Sequence, residues 1–338
     1  MFYIYKYHSS ITNCYNNTID NFRKKKNITC YFDLTASNSI KKLEEKELTE
    51  ISQINNHIFF VETSCSEDEI FLNPRQACAV ESAAKMNPEM EIYLLILSSA
   101  NFSNKTKNLV NHLQTYNNVN IRKVIIGEYV KNTILEQWWA SGIFQSSQWP
   151  KEHMSDVLRY LTLLKFPGIY LDLDMVTMSS LKYLEDFAVA QDSNYVNSAI
   201  LKLSASNIGR RIASLCLEYL TKNFQGDSWF NNGPGVITNI LRKLCGTKKT
   251  YEMSKQSCRG FTVYPPSTFY PIDYSIWIDF FDSKEKNKTM EKIGKAWGIH
   301  LWNKLSTSRP IYVGEDVPYA LIASQYCPKI YHNCGDIF

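Results

Sequence analysis

Asp172 and Asp174 stand one residue apart in the run Gly168-Ile169-Tyr170-Leu171-Asp172-Leu173-Asp174-Met175-Val176. The apolar residues after the glycine predict a buried strand. Strand side chains alternate between faces, so the two carboxylates are expected to point the same way. Two anions side by side are unfavourable unless a cation or a proton lies between them. Carboxylate oxygens suit a hard divalent cation such as Mn2+ or Mg2+, and strand ends are where α/β proteins place ligands. The predicted chemistry is a metal at a strand end with a phosphorylated ligand beyond it. Just upstream lies Ser155-Asp156-Val157-Leu158-Arg159. On a helix, residues three apart share a face, so Asp156 could grip sugar hydroxyls while Arg159 holds oxyanions.

Taken alone, these residues leave rival readings open. A D-x-D spacing arises by chance about once in a chain of this size and composition, and an intrahelical Asp–Arg pair is ordinary. The same run also suits the nucleophile strand of haloacid-dehalogenase-type phosphatases, with Asp172 attacking and Asp174 as acid/base. Those enzymes place the motif near the start of the catalytic domain and need a downstream lysine and an acidic metal motif. Here several strands precede it, and the later acidic cluster, Asp279-Phe280-Phe281-Asp282, sits in an aromatic stretch.

The elements that must position the carboxylates can be read from pattern. Residues 57–62 form a β-rich run ended by Thr63-Ser64, and residues 75–85 an Ala-rich helix stopped by Asn87-Pro88. Residues 91–97 read as a strand buried on both faces, and 119–126 as another. Ser155 is expected to open a helix with Asp156 in its first turn, broken at Phe166-Pro167-Gly168. Further helices are expected over 208–220 and 234–244, the latter with Pro234 in its first turn. From Phe261 the chain is aromatic and irregular. Alternating strands and helices predict an α/β fold with a mostly parallel central sheet flanked by helices. Residues 1–54 read as a polar lead-in or stem, with a charged helical patch over 41–48, and residues 55–338 as one domain.

Bulk composition narrows the classes. The 338 residues are 44% hydrophobic and 21% charged, which suits a globular chain with a sizeable core. The net charge of +4 is too small to argue for a nucleic-acid partner. Nine cysteines include no C-x-x-C spacing, but Cys65/Cys78, Cys245/Cys258 and Cys327/Cys334 lie close in sequence. Sequons start at Asn16, Asn27, Asn101, Asn104 and Asn287. Together they favour the secretory pathway, where disulfides persist. No apolar run reaches the roughly 18 residues of a membrane span, so the expectation is a soluble chain or one whose anchor lies outside this sequence.

Several stretches in order carry a resemblance. Ser155-Asp156-x-x-Arg159, then Lys165-Phe166-Pro167-Gly168-Ile169-Tyr170-Leu171-Asp172-Leu173-Asp174, resembles the DXD sugar-binding region of retaining GT-A glycosyltransferases. The family it resembles is that of lactosylceramide 4-α-galactosyltransferase (globotriaosylceramide synthase) and α1,4-N-acetylglucosaminyltransferase. Phe59-Phe60-Val61-Glu62-Thr63-Ser64 is similar to the family's first strand and Cys78-Ala79-Val80-Glu81-Ser82-Ala83-Ala84 to its first helix. Asn231-Asn232-Gly233-Pro234-Gly235, Phe269-Tyr270-Pro271-Ile272 and Gly298-Ile299-His300-Leu301-Trp302-Asn303-Lys304 resemble its C-terminal region. Pro167 departs from the family's usual glycine, away from the carboxylates.

The resemblance implies a DXD region over about 57–180 and a C-terminal glycosyltransferase region over about 200–330. It implies a GT-A-type nucleotide-diphospho-sugar transferase fold and transfer of an α-linked galactose or N-acetylgalactosamine from UDP to a glycolipid or glycan such as lactosylceramide. Activity on a glycoprotein glycan, as in α1,4-N-acetylglucosaminyltransferase, is the alternative. Asp172 and Asp174 would be the catalytic carboxylates and hold Mn2+ or Mg2+ with His300. Asp156, Arg159, Tyr170, Thr63, Asn232, Gly233 and Trp302 would bind the donor, and the setting would be the Golgi lumen behind an N-terminal membrane anchor.

Overall fold

The β-rich run at residues 57–62 becomes the middle of the sheet. The structure, a computed structural model, describes residue 31 and residues 40–43, 57–65, 68–98 and 100–338. Strands β1 (His57–Glu62), β3 (Glu91–Ile96) and β5 (Val119–Lys123) lie parallel and adjacent, with short β2 (Glu69–Ile70) and β4 (Asn101–Phe102) paired apart from them. On the other side of β1 come β6 (Gly168–Leu171), then β9 (Val196–Leu203), β8 (Phe187–Ala190) and β10 (Thr262–Tyr264). Only β9 runs antiparallel to its neighbours, so the seven-stranded sheet is mostly parallel, as the sequence predicts.

Alternation along the strands builds a core on each face. Ile58, Phe60, Ile92 and Leu94 pack towards α1 (Pro74–Met86), α2 (Asn104–Leu113) and the C-terminal segments. Phe59, Val61, Tyr93 and Leu95 pack towards α3 (Pro150–Lys165), α4 (Asn207–Asn223) and α5 (Pro234–Cys245). Burial on both faces explains why these strands lack a polar side. Gly168 is required where β6 meets β1, because a Cβ there would lie 2.6 Å from the His57 carbonyl oxygen.

Five expectations shift. Helix α3 begins at Pro150, whose missing N–H suits a first turn, so Ser155 and Asp156 are interior. The third strand stops at Lys123 and a short helix starts at Ile126. Of the three sequence-close cysteine pairs, Cys245–Cys258 is a disulfide, whereas Cys78 joins Cys327 across 249 residues and Cys334 is free. The lead-in lies mostly outside the described residues. Its described part docks on the domain: Tyr31 and Leu43 are buried, and residues 41–43 bridge to Lys123 rather than forming a helix. The fifth shift concerns the acidic strand itself.

No helix among the described residues is long and apolar enough to cross a membrane.

Candidate active site

The run from Gly168 to Val176 is two strands, with Asp172 and Asp174 at the turn between them. β6 ends at Leu171, and β7 (Met175–Thr177) leaves the central sheet to pair antiparallel with β11 (Gly298–His300). The Met175 amide donates to the Asp172 carbonyl at 3.0 Å, closing the turn. Strand alternation therefore does not account for the convergence of the two carboxylates; the change of sheet does. The register of β7 with β11 sets His300 opposite Met175, beside Asp174. One ligand atom from each of Asp172, Asp174 and His300 falls within 4.8 Å of the others.

Each carboxylate has its own supporting group. Asp172 Oδ1 accepts from the Tyr170 hydroxyl at 2.6 Å and lies 3.2 Å from an Arg159 guanidinium nitrogen. Arg159, 4% exposed, also reaches Asp156 Oδ1 at 3.0 Å, the Ser198 carbonyl at 2.7 Å and the Ser155 hydroxyl at 3.2 Å. Its guanidinium lies 4.7 Å from the centre of the Tyr170 ring. Burial opposes the Arg159 charge, but Asp172, Tyr170 and Asp156 outweigh it and push the group further up, so it stays a cation. Burial pushes the Asp156 carboxyl up to about 7 against the pull of Arg159. Losing one side of such a buried pair typically costs about 3–5 kcal/mol.

Asp174 is held from the C-terminal segment. His300 Nε2 lies 3.1 Å from Oδ1, and the Asn303 amide donates to Oδ2 at 2.9 Å. Burial works to raise this carboxyl, yet His300 and the Asn303 amide keep it below the usual carboxylate range. Trp302 packs its ring edge-on against His300 at 4.1 Å and donates its indole N–H to the Ile272 carbonyl at 2.9 Å. Its φ of 51° is in the left-handed region, unusual for a bulky residue, and such strain gathers at functional sites. Two carboxylates and an imidazole are a suitable donor set for a divalent cation. His300 Nδ1 is buried without a hydrogen-bond partner among the described residues, consistent with an imidazole that has a further role here.

The remaining candidates divide. Gly233 touches the site directly: a Cβ there would lie 2.1 Å from Asp156 Oδ1, and its carbonyl accepts from the Tyr160 hydroxyl at 2.8 Å. Asn232 is buried and uses its amide on the Gln225 backbone, accepting at 3.0 Å and donating at 2.7 Å, which clips the loop in place. Thr63, at the end of β1, donates to the Lys151 carbonyl at 2.9 Å and so ties the sheet to the start of α3. Neither Asn232 nor Thr63 is bonded to the carboxylate cluster. Arg159 has donors on protein groups and bridges Asp156 and Asp172. Ser155 and Asn303 lie in stretches the sequence singles out and Ser198 does not, but the bonds of all three show only in the tertiary arrangement.

Two family models match successive parts of the chain. Residues 73–195 match the glycosyltransferase sugar-binding region containing the DXD motif, and residues 205–334 match the alpha 1,4-glycosyltransferase conserved region. Both halves of the acidic cluster fall inside these matches, Asp172 and Asp174 in the first and His300 in the second. Over both regions the chain is similar to α1,4-glycosyltransferases. It is 28% identical over 274 residues to lactosylceramide 4-alpha-galactosyltransferase of Rattus norvegicus, covering 80% of the chain and 74% of the relative. It is 26% identical over 311 residues to alpha-1,4-N-acetylglucosaminyltransferase of Homo sapiens, covering 90% of the chain and 87% of the relative. The solved structure of galactosyltransferase LgtC with donor and acceptor sugar analogs shares 14% identity and a TM-score of 0.41, covering 82% of this chain and 96% of LgtC. The two matched regions make the chain a hexosyltransferase. The phosphatase alternative does not hold, and the site gives the physical reason: Arg159 and Tyr170 both engage Asp172, which suits a fixed ligand better than a free nucleophile.

Proposed function

We propose that this glycosyltransferase moves an α-linked galactose, or N-acetylgalactosamine, from a UDP donor to a glycolipid acceptor such as lactosylceramide, in glycosphingolipid synthesis. The observation that carries this reading is the convergence of Asp172, Asp174 and His300 at one turn, in a chain whose matched relatives include lactosylceramide 4-alpha-galactosyltransferase. These three residues would hold Mn2+ or Mg2+, which when bound neutralises the negative charge that builds on the departing diphosphate. Arg159 and Tyr170 hold Asp172 in place, and the Asn303 amide does the same for Asp174. Asp156 is set against Gly233 in the loop at residues 231–233, where the sugar is expected. With Arg159 and burial holding it, Asp156 is a poor candidate nucleophile. Retention at the anomeric carbon then follows a same-face path, on which the carbon–phosphate oxygen bond breaks, the acceptor oxygen bonds, and its proton passes to the leaving phosphate. The disulfides and sequons suit a lumenal setting, and we place the enzyme in the Golgi behind an N-terminal anchor.

The test is UDP release from a panel of UDP-sugars with Mn2+, followed by an acceptor screen that includes lactosylceramide. UDP-galactose is expected to be the preferred donor, and UDP-N-acetylglucosamine tests the alternative specificity of the other relative. Asp174→Asn is expected to lower UDP release at least about 100-fold with the fold retained. Undiminished turnover in that variant would refute the proposal.

A further inference from the structure

Tyr270 lies against two residues of the site without a described part in it. Its ring centre is 5.5 Å from His300 and 5.6 Å from Trp302. The residue is 4% exposed, and its hydroxyl has no hydrogen-bond partner among the described residues. A tyrosine hydroxyl offers a hydrogen-bond donor, and this one is placed beside His300 and Trp302. A buried hydroxyl without a partner costs about 1–3 kcal/mol, and phenylalanine would pack as well without that cost. Asn303 Oδ1 and His300 Nδ1, in the same neighbourhood, are also buried and unpartnered.

We propose that Tyr270 is a ligand-binding residue whose hydroxyl donates to an oxygen brought in with the ligand, either a water held by the divalent cation or an oxygen of the diphosphate. The inference rests on the nucleotide-sugar reading given above. The contact between His300 Nε2 and Asp174 Oδ1 closes this corner of the site. His300 Nε2 and Asp174 Oδ1 would part from each other if both served as ligands, and the imidazole packed on the Tyr270 ring would be free to shift.

Tyr270→Phe in the full chain tests this, because it removes one oxygen and keeps the ring. Thermal unfolding is followed without additions, with Mn2+ alone and with Mn2+ plus UDP, alongside steady-state kinetics with UDP-galactose. The variant is expected to unfold without additions at or above the wild-type temperature, since an unmatched hydroxyl has gone. Its stabilisation by ligand is expected to fall by more than about half, and its donor KM to rise about 10-fold. Loss already with Mn2+ alone supports the metal-held water, and loss only of the UDP-dependent part supports the diphosphate oxygen. Wild-type ligand shifts and KM in the variant would overturn the inference, as would a drop in unfolding temperature with ligand shifts intact, which marks a structural hydroxyl. If wild-type protein itself gains nothing from Mn2+ and UDP, the nucleotide-sugar reading fails and this inference with it.

Discussion

Replacing Asp156 by asparagine is expected to remove a pH dependence of stability that the buried carboxyl imposes on the wild-type protein. The ordinary value of 3.8 is raised to about 7 in the fold, first by burial, with Arg159 pulling the other way. Between those two pH values the unfolded chain is ionised at this position while the folded chain keeps its proton. The folded state then binds more protons, so stability falls as pH rises from about 4 to about 7 and levels off above that. Roughly three pH units at about 1.36 kcal/mol each give about 4 kcal/mol, and the side chain is too buried for solvent to screen much of this. Asparagine fills the same space without titrating, and Arg159 keeps Asp172 and Ser198 as partners. Urea unfolding of both proteins at several pH values between 4 and 8, with chelator present to exclude adventitious metal, reads the difference directly. Other titrating groups contribute to both curves and cancel. The difference between the curves should change by several kcal/mol across the window, with the wild type losing ground as pH rises. Parallel curves within about 1 kcal/mol would refute the account of a carboxyl governed by burial.

Two further outcomes follow from packing and covalent structure. Gly233→Ala places a Cβ 2.1 Å from Asp156 Oδ1, so the carboxyl or the loop must move; turnover should fall at least about 100-fold, and wild-type kinetics would show that the contact is unimportant. Cys78→Ser opens a loop of 249 residues between α1 and the C-terminal segment and should lower unfolding free energy by about 2–5 kcal/mol in urea, whereas unchanged stability would argue that the bond is not formed in the folded protein.

The sheet was legible because its strands are buried on both faces. Residues 57–62 and 91–96 are nearly continuous apolar runs, and only such runs fit a parallel strand covered by helices on each side. Helix starts were less legible. Pro150 opens α3 without any side-chain cap, so the visible cue at Ser155 lay more than a turn inside. Disulfide partners were legible only where the loop was short: Cys245 and Cys258 are 13 residues apart and bonded, but Cys78 pairs with Cys327, which no spacing rule can reach. For the site, residue types were readable and their bonding partners were not. Arg159 was expected to meet a ligand because arginine suits oxyanions. Its neighbours in space, Ser155, Ser198, Asp156 and Asp172, take up its donors first.

That distribution of partners says how the acidic pair is made tolerable before any ligand is considered. Asp172 is paired with Arg159 from α3 and accepts a bond from the Tyr170 hydroxyl on β6, all within the first matched region. Asp174 is held by His300 and the Asn303 amide, which belong to the second. Neither region alone supplies the partners of both carboxylates, because the groups that offset their repulsion come from different parts of the chain. The join between the regions is therefore part of the chemistry. It consists of the β7–β11 pairing, which sets His300 beside Asp174, and of α1, which Cys78 ties to Cys327 and whose Arg75 donates to the Ser306 carbonyl just beyond Asn303. A change that loosens either link should weaken the Asp174 half of the site while leaving the Arg159 network around Asp172 in place.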